Sequence, residues 1–326
     1  MRRRKFIALL CGATASPLAA HAQQPEKVYR VGFLSPVTPF AESSEGGAVF
    51  LRAMAERGYA LGRNLAIERR AAMGRTDNLH QLAQELFAAK VDVIITMGYP
   101  TTLAARATGI PTVVVDGVGD PIGIGLIESL ARPGGSVTGI AEFTPDLSTL
   151  RLSLLKELVP QLRRVALLWN QDDPAMTLRY RASSEAAERL GVTVQALGLR
   201  EPNDFEAAFA SMRQEIPDAI LMVNDGLTVL NSKRVFDFAL QHRVPAIYER
   251  KFLVHDGGLM AYGPDLTELF ERAAALVDRV LKGARPSELP FEQPTRYTFA
   301  INLKTAKALG LTIPPTLLAR ADAVIE

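Results

Sequence analysis

Three strand-like segments in the first half of the chain recur, in the same order, in the second half. Tyr29–Pro36 (YRVGFLSP) returns as Leu162–Asn170 (LRRVALLWN), Val91–Thr102 (VDVIITMGYPTT) matches Pro217–Thr228 (PDAILMVNDGLT), and Gly109–Val115 (GIPTVVV) matches Arg243–Glu249 (RVPAIYE). The offsets are 134, 126 and 134 residues, so the copies stay in step apart from a small indel. A unit repeated at this spacing is a whole α/β lobe rather than a solenoid turn. Two such lobes with facing strand ends enclose a cleft, where small ligands usually bind.

Between the apolar runs lie amphipathic stretches of about 12 to 18 residues, the alternation that marks βαβ units and a parallel sheet. Strands are expected at Arg30–Leu34, Leu65–Glu68, Val93–Met97 and Thr112–Val115 in the first lobe. Their counterparts are Val165–Trp169, Thr193–Leu197, Ala219–Val223 and Ala246–Tyr248. After Arg75, residues Leu79, Leu82, Ala83, Leu86 and Phe87 fall on one helical face, with Thr76 or Asp77 as cap. Phe205, Ala208, Phe209 and Met212 repeat that spacing in the second lobe. Gly135–Glu142 is suited to cross between the lobes, Gly257–Asp265 to return, and proline-rich Arg285–Thr295 to cross a third time. The expected architecture is α/β, with two Rossmann-like doubly wound lobes joined by three crossovers. Residues 28–140 with 263–288 form one lobe and 141–262 with 289–326 the other.

Residues 1–22 read as an export signal: basic Arg2–Lys5, apolar Phe6–Ala15 and a small-x-small site ending at Ala22. Arg3-Arg4-Lys5-Phe6-Ile7 with a weakly apolar core fits the twin-arginine route, with the general secretory route as alternative. Cys11, the only cysteine, follows Leu9 and Leu10 rather than small residues and reads as part of the signal core, not a lipid anchor. Cleavage after Ala22 leaves 33 basic against 35 acidic residues and no cysteine. Nucleic-acid binding, disulfides, zinc thiolates and thiol chemistry are thereby disfavoured. The expected location is periplasmic.

In open α/β sheets ligands sit beyond the carboxyl ends of the strands, near helix amino termini that attract anions. That rule nominates Ser35 with Pro36, the turn Gly98, Tyr99, Pro100, Thr101 and Thr102, and the stretch from Asp116 to Asp120. From the facing lobe it nominates Asn170, Asp225 and the run Tyr248, Glu249 and Arg250. The Gly98–Thr102 turn opens a helix and could hold a carboxylate, with Thr101 or Thr102 capping; an ordinary cap without ligand fits the same residues. Asp225 and Glu249 could accept from an amine or hydroxyl, and Tyr99 and Tyr248 offer flat faces, although loop acids often cap and tyrosines often fill cores.

Catalytic signals are thin. His80 and His242 fall in helical patterns and His255 in a loop, with no nucleophile or metal-ligand spacing beside them. Neither a dinucleotide glycine motif nor a phosphate loop is present, so no cofactor is expected.

Four further segments carry a resemblance: DPIGIGLIESLARPGGSVTG at 120–139, LLKELVP at 154–160, GLMAYGPD at 258–265 and INLKTAKALGLTIPP at 301–315. Together they resemble the ABC transporter substrate-binding family that includes tryptophan- and tyrosine-type binding proteins. The resemblance implies a type I periplasmic binding fold and a monomer that passes a small solute, often aromatic or carboxylated, to an inner-membrane permease. Bulky Tyr99 and the acid Asp116 depart from the family pattern and point to a smaller ligand, or one with its own cation or hydroxyls. A periplasmic sensor that presents the solute to a signalling receptor is the alternative; a secreted enzyme lacks a nucleophile paired with a base.

Overall fold

The computed structural model describes residues 27–142 and 145–326, the side chain of Pro145 excepted; the export signal, its cleavage after Ala22 and Cys11 lie outside the described residues. The first part runs β1 (Tyr29–Ser35), α1 (Glu45–Glu56), β2 (Leu65–Ala71), α2 (Leu79–Ala88), β3 (Val93–Met97), α3 (Tyr99–Arg106), β4 (Thr112–Asp116) and β5 (Val137–Gly139). The second runs α4 (Pro145–Leu158), β6 (Arg164–Asn170), α5 (Pro174–Arg189), β7 (Thr193–Leu199), α6 (Asp204–Gln214), β8 (Ala219–Met222), α7 (Gly226–Leu230), α8 (Ser232–His242), β9 (Ala246–Tyr248), α9 (Lys251–His255) and β10 (Met260–Pro264). Then follow α10 (Leu266–Leu281), β11 (Tyr297–Asn302), α11 (Leu303–Leu309), α12 (Pro315–Leu318) and β12 (Ala323–Ile325).

Two sheets result. The first is five-stranded, in the order β2-β1-β3-β4-β5, and all its pairings are parallel. The second is seven-stranded, β12-β11-β10-β9-β8-β6-β7. Read from β7 inward, its strands β7-β6-β8-β9-β10 repeat the order of the first sheet, so the duplication in sequence is a duplication of topology. Each sheet reverses direction of winding beside its first strand, the switch point where α/β sheets leave a crevice.

Both faces of each sheet are covered. On the first, Val31, Phe33, Val93 and Val113 pack with Phe50 and Met54 of α1 and with Leu269, Ala273 and Val277 of α10. On its other face Leu34 and Ile94 meet Leu79, Ala83 and Leu86 of α2 and Ala105 of α3. The second sheet is covered by α4 and α5 on one side and by α6, α8 and α9 on the other. Phe205, Ala208, Phe209 and Met212 all fall in that core, as their spacing predicts. Helix α10 follows β10 of the second sheet yet buries its apolar stripe on the first, so the chain returns there before leaving again for β11.

The connecting segments are bonded to one another. Ile140 bridges to Glu292, with Ala141 N donating to Glu292 O at 3.0 Å and Glu292 N to Gly139 O at 2.9 Å. Asp265 N donates to Arg296 O at 3.1 Å, and Glu268 at the start of α10 accepts from the amides of Thr295 and Arg296. These bonds outweigh burial and hold the Glu268 carboxyl below the usual range.

Several sequence expectations are corrected. Gly135–Glu142 is not simply a crossing, because Val137–Gly139 adds β5 to the first sheet by pairing with β4. Gly257–Asp265 contains strand β10, which runs antiparallel to β11, so the second sheet is mixed rather than wholly parallel. Helix α2 is preceded by a 3₁₀ turn at Thr76–Asn78 and has no side-chain cap, and Phe87 is 55% exposed instead of packing on the sheet. His255 ends α9 rather than lying in a loop.

Gly139 sets the edge where β5 meets the connecting segments. Its φ is 152°, and a Cβ there would lie 2.3 Å from the Val114 carbonyl oxygen. Gly139→Ala adds a steric overlap in a conformation that side chains avoid, at a cost of about 2–4 kcal/mol. The check is urea unfolding of the variant beside the parent chain.

Candidate functional site

A cavity of about 1270 Å³ opens between the carboxyl ends of the two sets of strands. From the first sheet it is walled by the loops after β1, β2, β3 and β4, and from the second by those after β6, β7, β8 and β9. Seven of the twelve predicted residues line it: Ser35, Gly98, Tyr99, Pro100, Asp116, Asn170 and Asp225. Ser35, Asp116 and Asn170 end β1, β4 and β6, and the other four lie at the starts of α3 and α7.

Their local chemistry differs. Asp225 is the cap of α7, accepting from Thr228 N at 2.9 Å in a reciprocal capping box, and it also accepts from Asn170 Nδ2 at 2.6 Å. Asp173, which the sequence reading passed over, caps α5 by accepting from Ala175 N at 2.8 Å and lines the same wall. Burial, then the neighbouring Asp225 charge, pushes the Asp173 carboxyl up to about 7. Burial also raises Asp225, against the hydrogen bonds from Thr228 and Asn170. This wall therefore holds two buried carboxylates, and neither has an ion-pair partner among the described residues. Opposite it, α3 starts at Gly98 with no side-chain cap, leaving its first amides unclaimed by any side chain. Starts of α1, α5 and α7 are each closed by their own Ser44, Asp173 and Asp225.

The other five predicted residues lie elsewhere. Thr101 and Thr102 are fully buried; Thr101 donates to the carbonyls of Met97 and Gly98, and Thr102 shares a 2.8 Å bond with Thr96. In the first turn of α3 both side chains point toward β3, so neither caps the helix nor offers a hydroxyl to the cleft. Asp120 closes its own turn, accepting from the amides of Ile122 and Gly123. Tyr248 is 1% exposed in the second sheet's core against Phe236. Glu249 is equally buried and belongs to an internal charge cluster.

That cluster joins three carboxylates and three guanidinium groups. Arg250 pairs with Asp116 at 2.5 Å and with Glu142 at 2.9 Å. Arg179 meets Glu142 at 2.5 Å and Glu249 at 2.8 Å, and Arg151 meets Glu249 at 2.7 Å while donating to Tyr262 O. Burial opposes ionisation of Glu142, but Arg179 and Arg250 together hold it down at about 2. Burial raises Asp116 although Arg250 pulls the other way. Asp116 and Arg250 face the cavity at one end of the cluster, and Arg250 was legible only as part of a loop run.

Contacts also cross the cleft. Lys251 of α9 pairs with Glu45 of α1 at 3.1 Å, Gly226 lies against Pro36, and Tyr99 packs on the core of the second sheet. Tyr99 thus serves a contact between the two sheets' walls as well as lining the cavity.

Arg250→Ala strands Asp116 and part of the Glu142 charge in the interior; the expected loss is about 3–5 kcal/mol in chemical unfolding. For Asp173, the unfolded carboxyl ionises near 3.8 and the folded one near 7. Folding therefore takes up a proton between these values, and stability present at the acid end falls as pH rises through about 7. Asp173→Asn retains a cap acceptor and should flatten the dependence of Tm on pH across that window; an unchanged slope would show that another group causes it.

The sequence matches the family model for ABC transporter substrate binding proteins over residues 43–325. A tyrosine-binding protein of Clostridioides difficile is 26% identical over 263 residues, covering 80% of this chain and 75% of the relative. Among solved structures, a conserved domain protein of Vibrio cholerae superposes with a TM-score of 0.84 at 24% identity, covering 91% of this chain and all of that one. An ABC domain from Streptococcus pneumonia in complex with L-Trp gives 0.82 at 23% identity, covering 92% of this chain and all of that one. At these identities the superpositions establish the fold, which is that of type I periplasmic binding proteins. With the family model spanning nearly all the described residues, the chain belongs to the ABC transporter substrate-binding protein family, whose members hold a small-molecule solute for a membrane permease.

Proposed function

We propose that this chain is the periplasmic capture component of an ABC importer, taking a small amino-acid-like solute between its lobes by hinge closure. One observation carries the reading: a single cavity lies at the switch points of both sheets and is walled by loops of each. No chemistry on the solute is required. A ligand that touches both walls binds the closed arrangement more tightly than the open one and shifts the population toward it, and the permease then recognises the closed form. The lobes are residues 28–140 with 263–288 and residues 141–262 with 289–326. The chain is exported by its twin-arginine signal and acts as a monomer without cofactor.

The solute's ammonium group is placed at the wall of Asp225, Asn170 and Asp173, where buried negative charge has no internal counter-ion. Its carboxylate is placed at the uncapped start of α3, near Gly98, Tyr99 and Ser35, where free amides and the helix dipole favour an anion. Glu249 and Tyr248 act on the solute only through the packing behind this wall. The tyrosine-binding relative and the L-Trp complex support an amino acid as the class of solute.

Purified protein should gain about 2.7 kcal/mol, a few degrees in Tm, at a solute concentration 100 times its Kd. A panel of amino acids, aromatic acids and short organic acids is the direct screen. Asp225→Asn should lower affinity by roughly ten- to a hundredfold. Absence of any shift across the panel, with no co-purifying solute in native mass spectrometry, would sink the proposal.

A further inference from the structure

We propose that helix α7 couples solute capture to closure, and that Gly226 is a positioning residue whose missing side chain lets the two lobes come together. This rests on the solute-capture reading above and names the contact that sets how tightly the closed arrangement holds. Asp225, which caps α7, belongs to the acidic wall of the cavity, and the residue next to it touches the other lobe.

Helix α7 is fixed to the second lobe along its length. A capping box closes its start, Thr228 Oγ1 donates to Val223 O at 2.8 Å, Leu227 is buried in that lobe's core, and Asn231 Nδ2 donates to Leu227 O at 2.9 Å. Both of its ends nevertheless meet the first lobe. At the start, a Cβ on Gly226 would lie 3.1 Å from Pro36 Cβ; at the end, Leu230 Cδ1 stands 2.6 Å from where a Cβ on Gly74 would be. Pro36 and Gly74 are themselves joined, Gly74 N donating to Pro36 O at 2.9 Å, so the helix rests on one bonded platform that follows β1 and β2. A helix held in this way cannot bring Asp225 up to a solute seated on the first lobe without bringing residue 226 up to Pro36.

Helix α5 repeats the arrangement. Asp173 caps it and lines the same wall, and Ala175, two positions on, lies 3.4 Å from where a Cβ on Gly119 of the first lobe would be. Each acid of the wall is thus placed within two residues of a contact between lobes. Gly226 is the position where that contact can be changed without backbone strain, because it is helical and outside the left-handed region that holds Gly74 and Gly119. Carbon atoms in contact stand about 3.5–4.0 Å apart. A side chain at 226 therefore pushes Pro36, and the lobe that carries it, away.

Isothermal titration of the purified chain with L-tryptophan, L-tyrosine and L-leucine, with small-angle X-ray scattering in the presence and absence of each, tests this role. The wild type is expected to bind and to contract on saturation. Gly226→Ala should weaken every probe that binds by roughly five- to tenfold and Gly226→Val by roughly a hundredfold, in the same proportion for each probe because the contact lies between lobes. Urea unfolding of unliganded Gly226→Ala should keep the parent's midpoint, since alanine suits a helical position better than glycine. Pro36→Gly removes the carbon that the new Cβ meets, so combined with Gly226→Ala it should bring affinity to within about twofold of Pro36→Gly alone. Unchanged Kd in both Gly226 variants, losses that differ between probes, a lowered midpoint or no recovery in the double variant overturns the coupling role and leaves solute capture standing. A wild type that binds without contracting removes closure and this role with it, and one that binds no probe removes capture as well.

Discussion

Six buried charges at the base of the cleft fix the positions of the elements around it. Asp116 ends β4, Glu142 lies in the first connecting segment, Arg151 and Arg179 project from α4 and α5, and Glu249 and Arg250 follow β9. An ion taken from water into a protein interior is tolerated only with close partners of opposite sign. Each of these six groups therefore dictates where the others must be, and through them where one sheet stands relative to the other. An apolar filling of equal volume could supply comparable stability; directional pairs at 2.5–2.9 Å specify a single arrangement as well.

Around that base, the doubled topology and the bonded connections divide the work. Each sheet is covered on two faces. The strand ends supply loops of unlike chemistry, acidic beside α5 and α7 and aromatic beside α1 and α10. The connections pair with one another, as Ile140 does with Glu292 and Asp265 with Arg296, which ties the crossings side by side. Loops of unlike chemistry on a duplicated scaffold separate the lining of the cleft from the packing that makes the fold.

Much of this was legible in the sequence because buried parallel strands announce themselves as unbroken β-branched runs; all eight expected strands are present. Of the four strands not expected, Tyr297–Asn302 is a regular six-residue β-type run that the sequence reading missed, and the other three are short or broken in pattern. Val137–Gly139 and Ala323–Ile325 have three residues each, and Met260–Pro264 carries a glycine and a proline. Only pairing with a neighbour makes them strands. In the site, the strand-end rule located the right loops but not the direction of each side chain. It placed Asn170 and Asp225 in the cleft, yet also nominated Thr101 and Thr102, whose place in the first turn of α3 turns them inward. Tyr248 and Glu249 are covered by α9 and the ion cluster. Arg151 and Arg179 did carry a signal, each the lone charge on a buried helical stripe of apolar and small residues, and Asp173 before Pro174 has the form of a helix cap. Phe33, Phe40, Phe252 and Phe270, which also line the cavity, carried no common signal, because they come from β1, a loop, α9 and α10.

Asp116 and Arg250, the pair that joins the two sheets, stand 134 positions apart, the same offset that relates β1 to β6 and β4 to β9. By that offset they are the same position in the two copies of the repeat. In a dimer of identical half-chains that position would face itself, and two acids in contact could be buried only by keeping or sharing a proton rather than as an ion pair. Only after both halves share one chain can the two members of the pair carry opposite charge. The pair thus bears the mark of fusion, a bond that symmetry would have forbidden.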